Sequence, residues 1–104
     1  VAVSRERSDK IAARVLSAMA NEGARMIEEG VVTRPSDVDF AVVAGGGFAR
    51  WQGGPMFWAD QRGLLILRRD LAVWAWEAPE IWTAAPLVVD LVSSSRHFAD
   101  LDRV

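Results

Sequence analysis

The sequence predicts an all-α fold of about five helices, and three observations carry that expectation. Apolar residues recur at three- and four-residue steps through most of the chain. Glycine and proline punctuate the periodic runs where helices stop and start. No segment holds a clear apolar–polar alternation of the kind a half-buried strand needs. The 104 residues suffice for one core and not for two, so residues 1–104 read as a single helical domain. The chain opens on Val1 rather than Met, which fits a piece of a longer protein.

The first helix is expected from about 8 to 29. Ile11, Val15, Leu16, Met19, Met26 and Ile27 give its periodicity. Ser8 can cap it, Asp9 suits the dipole of the first turn, and Gly30 sits where a helix stops. Ser36-Asp37-Val38-Asp39 reads as a capping box for a second helix over 36–45, with Asp39 in the place of the usual Glu. Phe40, Val42 and Val43 carry a competing strand preference. Residues 45–55 form a loop dense in glycine, and Pro55 suits the first position of a helix that ends at Gly63. Leu64 to Trp76 is a further helix, with Leu64, Leu67, Leu71 and Trp74 on its apolar face. Ala78-Pro79 breaks it, and Pro86 opens a last helix over 86–95. The tail, Arg96 to Val104, reads as polar and loose.

Composition narrows the function classes. The formal net charge is −2 and the twelve Lys and Arg are scattered, which argues against a nucleic-acid partner. No apolar run reaches the ~18 residues of a membrane span. The charged N-terminus lacks the apolar stretch of a signal peptide, and the location is read as cytoplasmic. With no Cys there are no disulfides or thiolate ligands, and His97 alone makes no His–His metal pair.

Four constellations invite a chemical reading. Val42-Val43-Ala44-Gly45-Gly46-Gly47 suggests a strand feeding a dinucleotide turn, but the third glycine of that fingerprint would fall at Arg50. Glycines that let helices and loop approach closely are the better account. Five Trp and four Phe are many for so small a core. Trp74 and Trp76 diverge by about 200° on one helix, so one of them, and Trp51 in the loop, is expected at the surface or an interface. Glu22 lies three residues after Met19 and four before Met26, so it is placed on the apolar face, paired with an Arg or with loop N–H groups. His97 with Asp100, and Ser93-Ser94-Ser95, lack a placed nucleophile and read as surface features.

Two stretches together carry a resemblance. Ala20-Asn21-Glu22-Gly23-Ala24-Arg25-Met26-Ile27-Glu28-Glu29-Gly30 is followed by Arg34-Pro35-Ser36-Asp37-Val38-Asp39. Then comes Gly45-Gly46-Gly47-Phe48-Ala49-Arg50-Trp51-Gln52-Gly53-Gly54-Pro55-Met56-Phe57-Trp58-Ala59-Asp60. The run resembles the C-terminal domain of 3-hydroxyacyl-CoA dehydrogenases, and most of all its second copy in multifunctional fatty-acid β-oxidation enzymes. The match is clear over 8–63 and weaker over 64–100. It implies a helical domain like the C-terminal domain of 6-phosphogluconate dehydrogenase. It implies a parent enzyme whose other domain binds NAD and carries the catalytic His–Glu pair.

This domain would then pack on the NAD-binding and other domains of the parent chain, or on a homodimer partner, and meet acyl-CoA only indirectly. The substrate-reaching Asn of the first copy's opening helix falls near Ala13, so that role does not carry over. Ala49 and Gly46 also depart from the family pattern. No catalytic, cofactor-binding or metal-ligating residue is assigned. The structural or interface candidates are Glu22, Gly45, Gly47, Trp51, Gly53, Gly54, Pro55 and Trp58. The alternative is a free-standing helical module that binds a protein through its Trp surface.

Overall fold

The computed structural model describes residues 2–44 and 54–102, and among them the regular structure is helical, with no strand. The order is α1 (Ala2–Glu28), α2 (Pro35–Ala44), α3 (Pro55–Arg62), α4 (Leu64–Trp74), α5 (Pro79–Trp82), α6 (Pro86–Ser93) and a closing 3₁₀ turn, η1 (Phe98–Asp102). Each of the four prolines opens a helix, because the first helical position needs no N–H and already wants proline's φ.

α1 begins six residues before the expected start. The segment ahead of Ser8 holds Arg, Glu and Ala and no glycine or proline, so a helix once nucleated runs through it. Ser8 therefore caps nothing. The C-terminal end follows the expectation closely. Gly30 adopts φ +78°, Val31 N–H donates to Met26 O at 2.9 Å and Gly30 N–H to Ile27 O at 3.1 Å, the paired bonds of a Schellman turn.

α1 lays Leu16, Ala20 and Ala24 against the other helices. The small alanines, with Gly23, let α3 come close: a Cβ on Gly23 would stand 2.8 Å from Met56 Sδ. Val38, Met56, Ala59, Leu64, Leu67, Leu71, Trp82, Val88, Leu91 and Phe98 complete the core. α4 breaks off at Trp74, and the Ala78-Pro79 interruption contains the single turn α5, which buries Trp82. The tail is not loose. Phe98 is fully buried, and η1 packs against α2 and α3.

Candidate functional site

The polar residues that α1 buries are Ser17 and Asn21, at 0% and 1% exposure, and not Glu22. Asn21 Nδ2–H donates to Thr83 O at 2.9 Å, and Asn21 Oδ1 accepts from Ala85 N–H at 2.8 Å. One turn on, Arg25 also donates to Thr83 O, and Glu28 accepts from Leu87 N–H at 3.1 Å. Positions 21, 25 and 28 fall on one side of the helix. That side satisfies the backbone of residues 83–87, the bend between α5 and α6. Glu22 points away from it, 61% exposed, with its carboxylate 3.4 Å from Arg25.

A second polar device joins α2, α3 and η1. Asp39, near the middle of α2, accepts from Met56 N–H at 2.7 Å and Phe57 N–H at 2.9 Å, capping α3. Asp60 in α3 accepts from Phe98 N–H at 2.8 Å and Ala99 N–H at 2.9 Å, capping η1. Asp102 in η1 accepts from Ser36 N–H at 3.1 Å, capping α2. Each element thus caps the next, and the circuit closes around a cavity of about 230 Å³. The expected local capping box is replaced by this arrangement: α2 starts at Pro35, and Asp39 reaches forward to a different helix. Burial pushes the Asp39 carboxyl up to about 6, against the pull of its two backbone donors, and the charges of Asp102 and Asp60 add to the rise.

The remaining candidates divide. Gly54 is buried at φ +96°, and a Cβ there would lie 2.6 Å from the Asp39 side chain, so a side chain would collide with the cap. Pro55 is buried at the first position of α3. Trp58 is half-buried, with the Arg62 guanidinium 5.4 Å from its ring centroid. Gly45, Gly47, Trp51 and Gly53 lie outside the described residues. Trp74 stacks at a tilt on Trp82, centroids 4.9 Å apart, with the Arg14 guanidinium over both rings and paired to Glu77. Trp76 is 91% exposed, so of the divergent pair it is Trp76 that faces outward. Ile11, Val15, Phe40, Leu65, Val73 and Ile81 are also exposed, and an apolar groove of about 270 Å³ runs between α1 and α2. Cys is absent, and the described residues contain no group of three His, Asp or Glu placed to hold a metal.

The family model described as 3-hydroxyacyl-CoA dehydrogenase, C-terminal domain, matches residues 11–99. The chain belongs to this family. A peroxisomal fatty acid beta-oxidation multifunctional protein of Oryza sativa subsp. japonica is 41% identical over 56 residues, which cover 54% of this chain and 8% of the relative. A peroxisomal bifunctional enzyme of Danio rerio is 35% identical over 86 residues, 81% of this chain and 12% of the relative. The chain therefore spans only about a tenth of the length of the curated relatives it matches. The expectation of a cytoplasmic location is corrected by these names, which point to the peroxisome instead.

A dehydrogenase C-terminal domain raises the question of whether NAD fits the described residues. The helix that follows the glycine-rich stretch is α3, the natural place for a pyrophosphate to seat. Its first free N–H groups, on Met56 and Phe57, are already taken by the Asp39 carboxylate. An anion arriving there would meet a partly buried acid with Asp60 and Asp102 close by. Among the described residues, the start of α3 therefore offers the cofactor's phosphates no free N–H on Met56 or Phe57.

Proposed function

We propose that residues 1–104 form one non-catalytic helical unit of a longer NAD-dependent 3-hydroxyacyl-CoA dehydrogenase acting in fatty-acid β-oxidation. The family match over 11–99 carries this reading. Its role is architectural. It packs on the NAD-binding and acyl-CoA-binding parts of the parent chain and builds a dimer-like interface, while the cofactor and the reacting carbon are handled elsewhere. Two physical features support an architectural role. The N–H groups that a phosphate would use are occupied by Asp39. Apolar side chains stand exposed on α2 (Phe40), on α4 (Leu65) and in the turn after α4 (Trp76), as on a unit that packs against neighbours.

Calorimetric titration of NAD into the isolated chain tests the reading. The expected outcome is no binding heat at millimolar cofactor and no turnover of a 3-hydroxyacyl-CoA. Saturable NAD binding would overturn it.

A further inference from the structure

The chain holds three methionines and no cysteine, and all three thioethers gather at one place. Met19 lies four residues before Gly23 and Met26 three after it, so both stand on the stripe of α1 that carries Gly23. These three residues form the α1 wall of the apolar groove of about 270 Å³, facing Val38, Ala41 and Val42 of α2. Met56 reaches Gly23 from α3. Its Sδ rests on the glycine, where a Cβ would stand only 2.8 Å away.

The three differ in access. Met19 and Met26 are half-buried and line a groove open to solvent. Met56 is 1% exposed, with its sulfur against Gly23. With no thiol in the chain, a peroxide meets no more reactive sulfur than these. We propose that Met19 and Met26 are a paired oxidation site for peroxides, and that their sulfoxides turn the groove from an apolar surface into a polar one without unfolding the domain.

In the step, a lone pair of the thioether sulfur attacks one oxygen of the peroxide. The S–O bond forms as the O–O bond breaks, and sulfur gives up two electrons to the peroxide. With hydrogen peroxide, the other oxygen takes the proton of the transferred one and leaves as water. Both sulfoxide oxygens turn toward solvent, because the long unbranched side chains sit at the groove wall. The polar bonds that fix α2 lie elsewhere. Asp39 accepts from Met56 N–H and Phe57 N–H on α3, and Ser36 N–H donates to Asp102. α2 therefore stays in place while the wall it shares with α1 becomes polar. Met56 marks the limit of the device. An oxygen on its sulfur would have to enter the close contact of α3 with Gly23, and the two helices would part.

Dilute hydrogen peroxide at neutral pH, with oxygen uptake at each methionine read by peptide mass mapping, tests the proposal. In the folded chain Met19 and Met26 are expected to oxidise about tenfold faster than Met56, and in concentrated urea the three rates should converge. Circular dichroism should be unchanged once two oxygens have been taken up. Binding of the neutral apolar dye Nile red should then fall about threefold. Met19→Leu combined with Met26→Leu should keep its dye binding through the same treatment. Gly23→Ala, which pushes on the Met56 sulfur, should speed oxidation at Met56. Equal rates at all three methionines of the folded chain, helix content lost with the second oxygen, or dye binding unmoved by oxidation would each overturn the proposal. Should Gly23→Ala fail to fold, the comparison of rates with and without urea still decides.

Discussion

Replacing Asn21 with alanine leaves the buried Ala85 N–H without an acceptor, while Thr83 O keeps its Arg25 donor. A buried group left unpaired costs about 1–3 kcal/mol, and a loss of that size is expected in urea denaturation. Glu22→Ala, one residue away, removes only an exposed ion pair and should change stability by under about 0.5 kcal/mol. The sequence marks this pair as a polar interruption of an apolar helix but assigns the wrong member to the inside. Met19 and Met26 bracket Glu22 with core-like spacing, yet they line the outer groove. A helix with two apolar faces offers two phases, and one residue's error turns the choice by about 100°.

Asp39 gives a second test at this scale. Its folded carboxyl titrates near 6 rather than 3.8, so the folded state holds this proton more tightly than the unfolded chain. That contribution is complete below about 4 and is lost as pH rises through 6. Stability measured between pH 7 and pH 5 should therefore rise on acidification through this group, and Asp39→Asn should flatten that part of the profile.

Among the elements, the helix starts at Pro55 and Pro86 were legible, because proline at the first position is a local signal, whereas the start of α1 and the single turn α5 at Pro79 were not. The acids that cap three of these elements were not legible. Asp39, Asp60 and Asp102 act across 17, 38 and 66 residues of sequence. A motif search sees only neighbours, so Ser36 and Asp39 looked like partners in one cap when they belong to two. Gly54 was legible as a turn residue, though not for its reason, which is that the Asp39 side chain fills the space a Cβ would need. Gly54→Ala is expected to cost about 3 kcal/mol, from a left-handed φ and a displaced cap together. Gly30→Ala, with a similar φ but open space around it, should cost only about 1 kcal/mol. Comparing the two midpoints in denaturant separates backbone strain from collision.

Over the whole molecule, the all-helical class followed from periodicity and breakers, while the extent of the core did not. A polar run at a chain end reads as a loose tail, and only the depth of Phe98 shows otherwise. Phe98→Ala should cost about 3–5 kcal/mol. A chain ending at Ser95 also loses Asp102 and leaves Asp60 without the N–H groups it caps. Against a total stability of about 5–15 kcal/mol, that truncation is expected to show no cooperative thermal transition.

The closed circuit of caps also sets an order of events during synthesis. α2 leaves the ribosome early, but the acid that finishes its first turn is residue 102. Until that residue emerges, Ser36 N–H lacks the carboxylate that accepts from it. A nascent chain cannot complete this corner piece by piece from the N-terminus. The circuit of caps is complete only once residue 102 is in place.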